Sequence, residues 1–509
     1  MHLTDYIPRD AEGTIWDVVV VGTGAGGGPA GLRLAQSGKS VLFLERGGFW
    51  DTTMPTSAKP HFLSVAGEVD YGSLPDSWQN EIGLRENRSE FVMSSGIGGT
   101  TTLFSMAMDR LQPLDFTPHR FAHCAPESTL PAEWPIQYEE LDPYYHEAES
   151  LFRIQGSPDP LTSIRGTLRD PLSPSQTEES VVDTLIRGDL HPYSMHCARE
   201  YLQDCDGCHN RPCPRSCRND AGRTCVIPAL ETYGARILPN CVVERLETGG
   251  RSVRHALCSW NGRCIAIRAR IFILALGALL TPALLFRSAN DSFPNGLGNS
   301  SGMLGRNLMT HVSDILVVRM KGLGGVINGR LRNGISMNDF YSRNGIKLGN
   351  IHAHAADLAF FFEDKDSTFC LDDSAGSALF FTIVEDFPYL QNRVTLKPGT
   401  QGEVHWKYHY PAELLQRGEM LLHAFCQAVP QWEVIIKQPS GSLNGSHACG
   451  TCRFGDDPRT SVLNRENRLH DLDNAYVLDA SFLPSSGGIQ PSLTIVANSL
   501  RASALIASR

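Results

Sequence analysis

An α/β fold is predicted for this chain, with a parallel-sheet part interleaved in sequence with an α+β part that contains an antiparallel sheet. Three observations predict it. A β-branched run at residues 16–21 opens directly into a glycine-rich turn. The 509 residues exceed one ordinary domain and suggest two. Farther along, Phe380-Phe381-Thr382-Ile383-Val384 and Arg393-Val394-Thr395-Leu396 have the composition of strands in an antiparallel sheet.

Trp16-Asp17-Val18-Val19-Val20-Val21 suits a buried strand. It leads into Gly22-Thr23-Gly24-Ala25-Gly26-Gly27-Gly28, then helix-compatible residues 29–36, then a second strand at 40–44 that ends in Glu45. Strand, Gly-x-Gly-x-x-Gly turn, helix, strand and acid in this order point to dinucleotide binding. Gly22 permits the tight turn, Gly24 lets backbone approach a pyrophosphate, and Gly27 lets the helix pack closely on the strand. The helix start offers unpaired N–H groups and a positive dipole end to phosphate. Glu45 can accept from a ribose hydroxyl, which favours FAD or NAD over NADP.

Composition narrows the function classes. A net charge of −10 argues against nucleic acid as a main partner, because phosphate binding needs a basic face. The longest apolar stretch, residues 271–286, is interrupted by Gly277, Thr281 and Pro282 and is short for a membrane span. Residues 1–6 show no basic or apolar leader, so the expected location is cytoplasmic.

A second glycine-rich loop, Ser94-Ser95-Gly96-Ile97-Gly98-Gly99-Thr100-Thr101-Thr102, comes later. Residues 271–285 follow, then Gly296-Leu297-Gly298-Asn299, then Gly305-Arg306-Asn307-Leu308-Met309-Thr310-His311. Near the carboxy end stand Ser446-His447-Ala448-Cys449-Gly450-Thr451, residues 474–484, and Gly487-Gly488-Ile489-Gln490-Pro491-Ser492. In this order the blocks resemble the glucose–methanol–choline (GMC) oxidoreductase family from residue 16 to about residue 498.

The resemblance implies a Rossmann-like FAD-binding domain interleaved with an α+β substrate domain. It places Gly22, Gly24, Gly27 and Glu45 at the ADP half of FAD, and Gly98, Gly99 and Thr100 along the pyrophosphate and ribityl. Val243 falls in the strand that meets adenine, and Asp479 and Ala480 fall in the loop at the ribityl phosphate. Some members attach FAD through a histidine after the second glycine block. Leu103 stands there in this chain, so noncovalent FAD is expected.

Oxidation of an alcohol removes a hydride from carbon and a proton from oxygen. The proton needs a base, and histidine has a near-neutral pKa. His447 matches the family's histidine and is the expected base. The second family position is usually Asn or His; here it is Gln490, which can donate to and accept from a substrate oxygen but cannot take its proton. Pro491 fits the first turn of a helix whose positive end would face the flavin, with Ser492 and Thr494 nearby. His352, His354 and His470 are read as structural histidines.

Of 14 cysteines, five crowd between Cys205 and Cys225. The spacing Cys208-x4-Cys213-x3-Cys217 resembles that of bacterial FAD sugar dehydrogenases with an iron–sulfur cluster. Zinc, a disulfide or a loop without metal are the open alternatives.

The expected FAD-binding domain comprises residues 1–115, 200–315 and 441–509, and the substrate domain residues 116–199 and 316–440. The acids at 363–366, Asp372-Asp373 and Glu385-Asp386 read as solvated loops, with a cationic substrate as the sharper alternative. The expected activity is FAD-dependent oxidation of an alcohol on a sugar or sugar-like polyol, with an amino sugar or aminoglycoside as a narrower reading. The electron acceptor is oxygen or a redox partner protein. A lyase of the same fold, or the catalytic subunit of an iron–sulfur electron-transfer complex, is the alternative.

Overall fold

The computed structural model describes residues 3–48, 62–70, 88–200, 217–320, 331, 333–353, 377–400, 402–438 and 443–509. The strand Ile15–Val21 runs from an exposed end into a fully buried one and lies at the centre of a seven-stranded sheet. It pairs in parallel with Val41–Leu44 on one side and with Arg263–Leu274 on the other. Arg236–Leu238 extends the parallel sheet beyond Val41–Leu44. Burial on both faces explains the unbroken Val-Val-Val-Val run.

The long strand Arg263–Leu274 serves two partners. Its first half pairs antiparallel with Ser252–Trp260, which in turn pairs with Cys241–Gly249. Its last residues, Phe272 to Leu274, pair in parallel with Ala475–Val477. The apolar stretch at 271–286 is therefore this strand's end followed by the helix Leu280–Arg287. No helix among the described residues is long and apolar enough to cross a membrane.

Helix Gly27–Gln36 follows the first glycine turn, as the motif requires. Gly22 has φ +96°, where a Cβ would also meet the Ala275 carbonyl oxygen at 2.4 Å. A Cβ on Gly27 would sit 2.0 Å from the Gly22 carbonyl oxygen. The carboxy-terminal helix Ser492–Ala507 packs against Gly27–Gln36 and against Tyr138–Leu151.

A second sheet of eight strands is antiparallel throughout. Its centre is Ser377–Glu385, flanked by Ile315–Met320 and Asn350–Ala353. The short strand Met309–Val312 joins it at the Glu385 end and pairs on its other edge with Leu443–Cys449. Residues 393–396, expected in one antiparallel sheet with 380–384, instead form a hairpin with Val404–His409 in a separate four-stranded sheet. There Trp406 stacks on Phe91, with ring centroids 4.2 Å apart.

Gly27→Ala tests the tight crossing of helix and strand. The added methyl must push backbone apart, so unfolding stability should fall by about 1–3 kcal/mol. The shift of the urea midpoint measures it.

Candidate active site

The two glycine turns meet. Thr23 Oγ1 accepts from Gly98 N at 3.1 Å and donates to Glu45 Oε2 at 2.6 Å. Glu45 Oε1 accepts from Gly47 N at 3.0 Å and Gly96 N at 3.2 Å. Glu45 thus ties together the strand end and both loops, a use that a ribose-binding acid does not predict. Its burial pushes the carboxyl pKa up.

Gly98 and Gly99 adopt positive φ, and Thr100 lies in the short 3-10 helix Gly99–Thr102. A Cβ on Gly99 would lie 3.1 Å from Gly24 Cα, whereas a Cβ on Gly24 would meet nothing nearer than 3.9 Å. Gly24 therefore borders open space between the loops, as backbone contact with a pyrophosphate needs. Helices Gly27–Gln36 and Ser492–Ala507 both begin without a side-chain cap. Their first N–H groups are left without a side-chain acceptor of the usual kind, which suits anionic ligand groups. Pro491 stands immediately before the second of these helices rather than in its first turn.

Asp479 is buried and precedes Ala480. Its Oδ2 accepts from Gly277 N at 2.9 Å and Thr281 Oγ1 at 2.5 Å; its Oδ1 accepts from Ser481 N at 2.9 Å. A Cβ on Gly26 would strike the neighbouring Leu478 carbonyl oxygen at 2.3 Å, so this loop seats directly on the first glycine turn. Val243 is buried in Cys241–Gly249, opposite Cys258. These positions fit an extended dinucleotide lying across both glycine turns.

His447 lies on Leu443–Cys449 and is partly accessible. Across the strand pair stands fully buried His311, on Met309–Val312. The two Nδ1 atoms are 2.8 Å apart, with the rings nearly perpendicular at 81°. His311 Nε2 is 2.8 Å from the Gly487 carbonyl oxygen. Burial pulls the His311 pKa down to about 4. It also holds His447 well below the usual histidine value, and the neighbouring rings His311 and His352 add to the effect.

Gly487 begins the segment that carries Gln490, and it is held from its other side as well. Its N–H donates to Glu385 Oε1 at 3.0 Å, and Gly488 N donates to Tyr341 Oη at 3.0 Å. Tyr341 Oη in turn donates to Asp115 Oδ2 at 2.7 Å. Fully buried Lys347 pairs with Asp115 and with Glu385, the latter at 2.6 Å. Glu385 and Asp386 are therefore not solvated loop acids; their exposures are 1% and 0%. The acids at 363–366 and 372–373 lie outside the described residues. Gln490 is buried, and neither atom of its amide has a hydrogen-bond partner among the described residues.

His470 accepts or donates at Ser461 Oγ, 2.9 Å away, away from this centre. His352 stacks on Phe381 and reaches Asn350 Oδ1 at 3.0 Å. His354, Cys205, Cys208 and Cys213 lie outside the described residues. Cys217 and Cys225 are buried. Among the described residues no group of three or more His, Cys, Asp or Glu side chains could hold a metal ion.

The sequence points to His447 and Gln490 and reads Glu385 as a solvated acid, but assigns nothing to His311, Tyr341 or Lys347. A lysine in the apolar run Ile346-Lys347-Leu348 was the available signal for a buried charge.

Two family models described as GMC oxidoreductase match residues 195–313 and 346–499. The chain is 28% identical to 6'''-hydroxyparomomycin C oxidase of Streptomyces lividus, over 97% of this chain and 92% of that protein. It is also 28% identical to paromamine 6'-oxidase of Streptomyces fradiae, over 99% and 94%. Among solved structures, pyridoxine 4-oxidase from Mesorbium loti superposes with a TM-score of 0.68 at 19% identity, covering 97% of this chain and 99% of that one.

Lys347→Met leaves Asp115 and Glu385 buried together without their cation. Loss of one partner of a buried ion pair costs about 3–5 kcal/mol, so the urea midpoint should drop markedly.

Proposed function

The chain belongs to the GMC oxidoreductase family and is an FAD-dependent oxidoreductase acting on the CH–OH group of a sugar-like alcohol; on that premise we propose that an amino sugar or aminoglycoside carries the alcohol and that His447 is the base. The observation that carries the base assignment is His447 itself. It is partly accessible, faces His311, and is joined through Gly487 to the segment of Gln490. The substrate class is supported by matches that run nearly end to end with two aminoglycoside-directed oxidases.

FAD, when bound, supplies the hydride acceptor. In this reading Gly22, Gly24, Gly27, Gly98, Gly99, Thr100, Val243, Asp479, Ala480, Pro491 and Ser492 border it, and Glu45 anchors both glycine turns beside the ribose. Leu103 offers no attachment atom after the second glycine block, which supports noncovalent binding. His447 takes the hydroxyl proton. Gln490 offers its amide N–H to the oxygen as negative charge develops there, or accepts from the hydroxyl before it does. Its partnerless buried amide supports this role, because an unmet polar group is costly to bury.

Iron with acid-labile sulfide in anaerobically purified protein would put Cys208, Cys213 and Cys217 on the electron's route to a redox partner. Their absence removes the cluster from the reading.

The direct test is an anaerobic screen of paromamine, glucosamine and plain sugars for flavin bleaching. Faster bleaching by plain sugars than by amino sugars would overturn the substrate class. His447→Ala should slow flavin reduction by roughly 10²- to 10⁴-fold, the usual worth of a positioned base. A retained rate would overturn the base assignment. The pH dependence has a definite sign. Protonation destroys the base, and a lowered pKa moves that event to lower pH. Flavin reduction at saturating substrate should therefore stay level as pH falls through 6.5 and decline only below it.

A further inference from the structure

We infer that His311 is a positioning residue that fixes the tautomer of His447, leaving His447 Nε2 as the atom that receives the substrate proton. The inference rests on His447 being the base and adds what holds it in the competent form.

Hydrogen-bond polarity gives the argument. A carbonyl oxygen only accepts, so the 2.8 Å contact to Gly487 O puts the His311 proton on Nε2. His311 is fully buried, and the ammonium of Lys347 opposes a further positive charge on it. It is therefore neutral at ordinary pH, and its Nδ1 carries a lone pair. Only one arrangement then satisfies the 2.8 Å contact between the two Nδ1 atoms: His447 Nδ1–H donates to His311 Nδ1. The two rings stand nearly perpendicular, with centroids 4.9 Å apart. Neutral His447 has a single N–H, so its Nε2 is unprotonated.

The opposite tautomer would present an N–H to the substrate hydroxyl and could not take its proton. His352 has its own partner at Nδ1, 3.0 Å away at Asn350 Oδ1. Asn350 directs its NH₂ group to the Met337 carbonyl oxygen, so Asn350 Oδ1 is the acceptor for His352 Nδ1–H. His311 does not pass the proton on, since that would create a buried imidazolium beside Lys347. The proton stays on His447.

The position of His311 is set by strand register. It is the cross-strand partner of Glu385 on one side and of Asn444 on the other. An irregularity between Met309 and His311 breaks the regular pairing with Leu443–Cys449 at this point. Besides His447, the charged groups near His311 among the described residues are Lys347 and its cross-strand partner Glu385.

The test is ¹⁵N NMR of the holoenzyme labelled at histidine, with His447→Ala assigning the His447 signals. The expected result is a protonated Nδ1 and an unprotonated Nε2 on His447 near neutral pH, a reading that needs no substrate. In His311→Leu the population should move toward the Nε2–H form. Flavin reduction by paromamine should fall about 10- to 100-fold, part of the worth of a general base, with KM little changed. His311→Gln, whose amide oxygen can accept from Nδ1–H, should recover most of that rate. Protonation of His447 on Nε2 in the unaltered enzyme would overturn the inference, as would His311→Leu with the tautomer and rate unchanged. An inactive His447→Ala beside a normal His311→Leu would overturn the positioning role alone. An active His447→Ala would overturn the base assignment beneath it.

Discussion

The peptide of Gly487 is the point on which the site depends. Its carbonyl accepts from His311, and its N–H donates to Glu385. His311 and Glu385 are cross-strand partners, so two adjacent strands grip one residue through its C=O and its N–H. One end of that grip sets an imidazole against His447. The other runs through Glu385 to Lys347, Asp115 and Tyr341, and Tyr341 returns to the N–H of the next residue, Gly488. A shift of the Gly487 segment would therefore disturb His447 and the Gln490 segment together.

Burying Lys347 between two carboxylates is an expensive way to hold a loop, since each ion loses its hydration. An apolar cluster could fill the same space. What the charges add is direction. Glu385 offers one oxygen to the ammonium and the other to Gly487 N, and Asp115 divides its oxygens between Lys347 and Tyr341. Each contact has a fixed polarity, which dispersion contacts lack. The network fits a role in specifying one placement of residues 487–488 more readily than a role in raising stability.

The parts legible in the sequence are those encoded by neighbouring residues. The buried strand, the glycine turn and the helix at 27–36 follow from a short run of side chains, each explained by its own sterics. His447 and Gln490 were legible as members of ordered blocks. The partners were not. His311 ends the run from Gly305, but its contact with His447 depends on which strand lies beside which and on a local break in register. Glu385 and Asp386 read as a charge run, and charge runs are usually solvated. Glu385 is met in space by Lys347 and the Gly487 N–H, and Asp386 by Thr310 N and Tyr408 Oη. Glu45 shows the same limit: its place at the strand end was readable, but its use as a tie between both glycine turns was not.

The choice of Gln490 also follows from the electrostatics of the site. His447 and His311 are neutral at rest, and burial opposes charging either of them. If His447 takes the proton as proposed, the positive charge appears where burial disfavours it. The proposed reaction also creates negative charge on the substrate oxygen. Proton uptake and development of negative charge on that oxygen are then mutually stabilising and should remain coupled. A histidine at position 490 would add another titratable group to this balance. A glutamine supplies a donor and an acceptor without titrating, so it can follow the oxygen from hydroxyl to carbonyl while His447 alone changes charge.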